Sequence, residues 1–441
     1  MRRYRASLHW HVTGVVGSGL LGLAALLAAG PRETPTTDPW LQWGGPQRNF
    51  VVESASLARS WPAEGPRRVW SRPLGDGHSA ILVDEGRLYT MYRPAPSQPD
   101  PEWADEEIVI ALDEATGETI WEHRYPARPL DFKFGAGPYA TPLIVGQRLF
   151  TVGTNNQLFA FDKTTGKVEW SRDLVKELGA QERLIRPAIK AGISSSPLEY
   201  GDTLIVMAGG QGQAVMAFDQ ATGKVVWKSG DFNISQASPI LIDVEGETQL
   251  VAFGGMDVNG LDPATGRLLW SHAHDTSGDM NISTPLWSPD NLLFVTSAYD
   301  GGSRMLRLVR NGTSTRVDEQ WFTNRLRVHI GTVIRLDDFI VGSSGDFGPT
   351  PMTAIDVKSG ELLWQDRSFS RANLLNAGGK LVILDEDGVL GLAEATRTGL
   401  EVLARAEDVL TSRAWTVPSL VGSSLYARDR QQIVKIDLPT P

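Results

Sequence analysis

A nine-residue phrase occurs five times along this 441-residue chain, and its regularity limits what the chain can fold into. Asp113 is followed by Gly117 and Trp121, Asp162 by Gly166 and Trp170, and Asp219 by Gly223 and Trp227. Asp262 is followed by Gly266 and Trp270, and Asp356 by Gly360 and Trp364. The spacing never changes, with four residues from Asp to Gly and four from Gly to Trp. A fixed repeat of this kind signals a propeller, a solenoid or an array.

The phrase has a local physical meaning. The Asp ends an apolar strand and can bond backbone N–H groups ahead of it. The Gly supplies the positive φ of a tight turn. The residues after it alternate apolar and polar, as at Val168 and Trp170, which marks a half-buried strand. The Trp on that strand is a large packing wedge. A catalytic or cofactor-stacking residue is used once, whereas these recur unit after unit. The phrase therefore reads as scaffold, a hairpin turn plus packing between units.

Two further strands precede each phrase. Thr141-Pro142-Leu143-Ile144-Val145 and Arg148-Leu149-Phe150-Thr151-Val152 lead into Leu158-Phe159-Ala160-Phe161. Each unit is then four short antiparallel strands without helical periodicity, which is a propeller blade. Trp70, Trp121, Trp170, Trp227, Trp270, Trp321 and Trp364 mark seven outer strands. Trp321 keeps its place although its turn has become Asn311-Gly312, and Leu403 takes the Trp position in one more. The last unit, from Val417 to Leu438, lacks an outer strand, while Trp70 sits on a strand without a unit. The two fragments complete each other. The expected fold is all-β, an eight-bladed β-propeller of four-stranded antiparallel blades. Residues near 67–72 close the ring as the outer strand of the last blade, which removes the exposed edges of an open array.

The N-terminus has the pattern of an export signal. Arg2, Arg3 and Arg5 precede an apolar run from Val12 to Ala29, and small residues follow at Ala28, Ala29 and Gly30. Residues 1–30 are expected to be a cleaved signal, or an inner-membrane anchor through residues 12–29. Residues 31–65 read as a linker and docking segment in which Trp40 and Trp43 dock on the barrel or face a ligand. Residues 66–441 read as the propeller. The chain is therefore expected to be periplasmic or secreted, and monomeric. It has no cysteine, which excludes disulfides, thiolate metal sites, Cys nucleophiles and lipid attachment through Cys. A net charge of −10 argues against a nucleic-acid partner, which would call for a basic stripe.

Two insertions interrupt the pattern. Residues 93–106 form a Pro-rich loop between the second and third strands of the first blade. Residues 173–191 separate two blades, and Leu174, Val175 and Leu178 predict a short helix ending near Gly179. Either is a tolerated surface insertion or an arm over one propeller face.

The run Ala111-Leu112-Asp113, with Thr116-Gly117 and Trp121, resembles the repeat of the PQQ-like β-propeller superfamily. The resemblance covers about residues 38–438, including Trp40-Leu41-Gln42-Trp43-Gly44-Gly45-Pro46, which is similar to the opening segment of exported bacterial members. That superfamily contains a BamB-type outer-membrane assembly lipoprotein and, more distantly, quinoprotein dehydrogenases. The resemblance implies the eightfold ring and leaves three functions open. The first is a non-catalytic scaffold that binds protein partners in the cell envelope, with no cofactor and no catalytic or metal residues. The second is a dehydrogenase dependent on pyrroloquinoline quinone (PQQ) and calcium. Calcium needs several converging oxygen ligands, for which Asp257 with Asn259, Asp300 and Asp346 are the candidates, each also a plausible turn residue. The third is a propeller that binds a sugar or small molecule in its axial channel, near His78 and His329. His272 and His274 follow an outer strand, and scattered histidines of this kind are more often packing or surface residues than ligands.

Overall fold

A computed structural model of the chain describes residues 38–95, 104–129, 134–182, 191–348 and 350–441. The expected signal or anchor lies outside the described residues, as do parts of both insertions, residues 96–103 and 183–190. Eight antiparallel four-stranded sheets follow one another around a ring. Blade 1 runs from Leu82 to Pro126, blade 2 from Leu143 to Asp173, blade 3 from Leu198 to Ser229 and blade 4 from Ile240 to Ala273. Blade 5 runs from Leu286 to Thr323, blade 6 from Val328 to Asp366 and blade 7 from Ala372 to Ala406. Apolar side chains fill the space between neighbouring sheets.

Blade 8 is built from both ends of the chain. Ser419–Val421, Ser424–Arg428 and Gln432–Asp437 supply three strands, and Arg67–Pro73 supplies the outer one. Its register runs from Arg67 opposite Asp437 to Pro73 opposite Gln432. This is the closure the sequence predicted. A buried arginine reinforces it, because Arg428 donates to Met91 O at 2.6 Å and Gly75 O at 2.9 Å, fastening blade 8 to blade 1.

The outer strand of every blade carries one β-bulge, as between Ala111 and Leu112 and between Arg68 and Trp70. Such a bulge raises the local twist and lets flat sheets splay outward as blades. In blade 7 Leu392 lies opposite Ala404, and Leu403 is the bulge residue. The tryptophan position of that blade is therefore Ala404. The expectation of Leu403 is off by one because residue counting does not see where the bulge falls.

The short helix forms where the spacing placed it, at Leu174–Leu178. The Asp173 side chain accepts from Lys176 N at its start, and Gly179, at φ 68°, ends it. Among the described residues no helix is long and apolar enough to cross a membrane.

Candidate functional site

The repeated phrase lies at the rim of the ring. In each turn the Asp carboxylate accepts from the residues ahead of it, as Asp113 does from Thr116 N at 2.8 Å. These bonds hold the Asp113 carboxyl below the usual carboxylate range, the Thr116 N–H contributing most. The Trp reaches into the next blade. Trp121 Nε1–H donates to Lys163 O at 3.0 Å and Trp170 Nε1–H to Gln220 O at 2.9 Å. The indole of Trp121 covers Gly166, where a Cβ atom would stand 2.5 Å from the ring. The pairs Trp70–Gly117, Trp170–Gly223, Trp227–Gly266 and Trp321–Gly360 repeat this contact. Asp, Gly and Trp of the phrase thus work as a latch from blade to blade.

Residues 38–57 run across one end of the axial channel. Trp40 and Val83 exchange backbone hydrogen bonds, both at 2.9 Å, on the innermost strand of blade 1. Leu41 O accepts from Ile144 N at 2.8 Å in blade 2. Val51 and Val52 add a fifth, parallel strand to blade 7, opposite Asn376 and Ala377. The buried Arg48 guanidinium donates to Pro239 O at 2.7 Å, Ser196 O at 3.0 Å and Pro197 O at 3.1 Å, tying this belt to blades 3 and 4. Trp40 is buried beneath the ring, whereas Trp43 faces the channel and donates to Thr284 Oγ1 at 2.9 Å.

Above this belt lies a chamber of about 130 Å³. A positional rule builds its wall. The residue four places before the innermost strand lines it in blades 1, 2, 3, 4, 5 and 8, giving His78, Tyr139, Ser194, Gln236, Ile282 and Trp415. Each chain segment there descends toward the axis before turning into its strand. The sequence singles out Trp43, His78 and His329 here. The offset from the first strand of each unit is the signal that could have found the others.

The rings brace one another. His78 stacks on Tyr139 at 5.7 Å between centroids and meets Trp415 at 5.6 Å. Phe134, from the connection between blades 1 and 2, touches Trp415 and His329, each at 5.5 Å. Tyr299 OH lies 2.5 Å from His329 Nε2. Burial pushes His78 down to about 4, against the favourable charge of Asp76, so its imidazole is neutral at pH 7. Its Nε2 lies 2.7 Å from Phe134 O, a pure acceptor, so Nε2 carries the proton and Nδ1 is left as an acceptor.

The candidate calcium ligands are not brought together. Asp257 binds its own neighbour, accepting from Asn259 Nδ2 at 2.7 Å. Asp300 sits in a turn of blade 5, and Asp346 in blade 6 faces Arg327 at 3.6 Å. Among the described residues no three His, Cys, Asp or Glu side chains form a group able to hold a metal, and no carboxylate lines the chamber. A calcium-held quinone with three carboxylates needs anionic ligands for the ion and cationic partners for the acid groups, so the residues present do not fit it. His272 lies on the outer strand of blade 4 beside Glu319, and His274 follows it into the core, far from any such role.

The sequence profile of the family described as outer membrane protein assembly factor BamB matches residues 105–366, from blade 1 through blade 6. The chain belongs to that family. The solved BamB of Moraxella catarrhalis is similar, with 18% identity and a TM-score of 0.58, over 84% of this chain and 99% of that one. A quinohemoprotein alcohol dehydrogenase from Comamonas testosteroni is also similar, with 12% identity and a TM-score of 0.61, over 91% of this chain and 81% of that one. Likenesses at these identities show the shared ring alone. An uncharacterized protein of Rickettsia conorii is 24% identical over 160 residues, 36% of this chain and 35% of that protein. The match thus spans about a third of that relative's length.

Proposed function

We propose that this member of the BamB family is an exported, non-catalytic propeller that serves as a protein-binding scaffold in the cell envelope. The observation that carries this is the family match over 105–366, which spans the last two strands of blade 1 and blades 2 to 6 of one ring closed by its own two ends. A ring that latches blade to blade at the rim and is crossed by a belt at one end is a stiff body. Its hairpin connections are free to vary and to meet partners. On this proposal the protein works in the periplasm or is secreted, its partners are envelope proteins, and it needs neither quinone nor calcium.

The alternative is the quinone dehydrogenase, whose ring the Comamonas enzyme shares. It is the weaker proposal, because Asp257, Asp300 and Asp346 lie on three different blades and each is engaged locally or set in a turn. The test has two arms. A host strain lacking the chain should show reduced folded outer-membrane β-barrel protein, restored by the wild-type chain. Purified chain titrated with PQQ and calcium should show neither binding nor alcohol-dependent dye reduction. Unchanged barrel levels, or turnover with the quinone, would reverse the order of the two.

A further inference from the structure

We propose that a groove between blades 6 and 7 docks a peptide segment of a partner protein, one that carries a carboxylate beside a large apolar side chain. This deepens the scaffold proposal, on which it rests for the partner being a protein of the envelope. The groove lies on the face that carries the connections between blades, and Phe134 and Trp415 border both it and the axial chamber.

Size and composition are the first argument. The groove measures about 860 Å³, and its lining includes four aromatic rings and four arginines. Aromatic residues and Arg are enriched where proteins meet, and Trp, Tyr and Arg carry much of the binding energy there. Phe347 stands in this lining at 60% exposure, more than any other large apolar residue among those described. It is braced, because the rings of Tyr299 and His329 each lie 5.9 Å from it, edge to face. An apolar ring held in water beside a groove is an anchor for an apolar side chain, and it loses little freedom on binding.

Charge is the second argument. The lining also holds four carboxylates, so formal charge balances and unused capacity decides what the groove attracts. The wall engages each carboxylate. Asp385 accepts from Val389 N at 3.0 Å and Ser370 N at 3.1 Å, and Glu386 from Trp415 Nε1–H at 2.8 Å. Asp387 accepts from Ser370 Oγ at 2.6 Å and Arg413 at 2.8 Å, and Glu407 from Arg405 Nε at 2.5 Å. Arg371 faces Glu386 at 3.6 Å and donates to Asp346 O at 2.9 Å. Arg367 differs from these three arginines. It is exposed, and among the described residues its side chain has no hydrogen-bond or ion-pair partner. A carboxylate on the incoming segment matches that free fork of donors, whereas a lysine there meets like charge.

The test uses the full purified chain and three labelled, end-blocked heptapeptides. In these, leucine and phenylalanine alternate with glutamate, with glutamine or with lysine. Binding is read by fluorescence anisotropy. We expect the glutamate peptide to bind at one site, the glutamine peptide about threefold more weakly and the lysine peptide more weakly still. Arg367→Gln should bring the glutamate peptide down to the affinity of the glutamine peptide and leave the latter unchanged. Phe347→Ser should weaken both by about tenfold. Both side chains are exposed, so circular dichroism and melting temperature should not change. Leu268→Ser, at an apolar residue on blade 4 that is 54% exposed, should leave binding as it is. Equal binding of the glutamate and glutamine peptides, indifference to Arg367→Gln or Phe347→Ser, an equal loss in Leu268→Ser, or no binding at millimolar concentration would each overturn the proposal. Self-association lost in Arg367→Gln would assign the groove to a second copy, and anionic vesicles bound more tightly than any peptide would assign it to a membrane. Either result overturns it as well. In the deletion strain, a chain carrying both groove substitutions should restore less folded barrel protein than the wild type, and equal restoration would refute docking of a partner. If the wild type itself restores nothing, the scaffold function falls, while the peptide titration still decides the groove.

Discussion

Trp70 Nε1–H donates to the carbonyl oxygen of Glu114 at 3.0 Å, and the same indole lies over Gly117. Trp70 stands on the N-terminal strand of blade 8, and Glu114 in the turn of blade 1. The contact that joins neighbouring blades elsewhere therefore also joins the two ends of the ring. In each such latch the glycine meets two demands at once. Its φ is positive, 72° at Gly166, and its missing side chain leaves room for the indole. Gly166→Ala is expected to cost about 2–4 kcal/mol, adding left-handed strain to a clash with Trp121. Gly246→Ala is the control, because its φ is 84° but nothing lies within 4 Å of the place its new methyl group would take. It should cost only about 1 kcal/mol. Urea unfolding of the two variants checks the difference, and equal costs would show that the indole contact contributes nothing.

The closure itself makes a second prediction. Removing residues 66–75 takes the outer strand from blade 8 and the indole from the turn of blade 1. Trp70→Ala removes only the indole. The deletion should destabilise the entire ring in one cooperative step, while Trp70→Ala should cost about 2–4 kcal/mol, since Trp70 is half-buried. Calorimetry reads both. A melting curve unchanged by the deletion would refute closure.

The rim was legible in the sequence because one physical demand recurs in it. A turn that needs Asp and Gly, beneath an indole from the preceding blade, writes the same letters each time. The breaks in the pattern follow from the same geometry. Blade 5 has a longer outer hairpin, Gly302–Asn311 with Ser314–Thr323, in place of the Asp-to-Gly turn. Trp270 of blade 4 accordingly turns to its own sheet, donating to Gln249 Oε1 at 2.8 Å over Gly260. Blade 8 has no turn joining its third and outer strands, because these come from opposite chain ends. Nothing there needs covering, and blade 7 carries Ala404 where its counterparts carry Trp. The chamber was legible only at Trp43, His78 and His329, and the rest of it was hidden for the opposite reason. Its residues share a position and not a type, so His78, Tyr139, Ser194 and Gln236 leave no common letter. Arg48 was equally silent, since its three carbonyl partners lie about 150 to 190 residues away.

Arg48 ties the belt to blades 3 and 4 through three backbone carbonyls, with Gln42 Oε1 of the belt itself as a further acceptor at 3.4 Å, which makes it sensitive to truncation. Arg48→Met keeps most of the apolar stem and leaves those three buried acceptors without a donor. The expected cost is about 2–4 kcal/mol, together with a changed Trp43 emission as the belt loosens. Arg59→Met, at the exposed pair with Glu394, should change stability by less than about 1 kcal/mol. Comparable losses in the two variants would remove the special role of Arg48.

His274 predicts how the fold responds to acid. It is fully buried against Phe253, with ring centroids 5.1 Å apart, and neither ring nitrogen has a hydrogen-bond partner. Burial pushes its pKa down to about 3, with smaller contributions from the charges of Arg304 and His272. In the unfolded chain the same imidazole titrates near 6.5, its ordinary value. Between those two values the unfolded chain binds a proton that the folded chain refuses. The folded state is thus fully favoured above about pH 6.5 and loses stability as the pH falls toward 3. His78, pushed down to about 4, acts in the same direction over part of that window. The turn aspartates Asp113, Asp162 and Asp219, held below their ordinary 3.8, begin to weaken the fold only at lower pH. Wild-type stability should therefore fall between pH 7 and pH 4.5 before those carboxylates respond. His123, lowered by partial burial, adds to the same trend, so replacing His274 by Leu removes one of three histidine contributions and should reduce the fall by about 2–3 kcal/mol at pH 4.5. Urea midpoints at the two pH values measure it, and an unchanged slope in His274→Leu would mean that the buried imidazole already carries its proton in the folded protein.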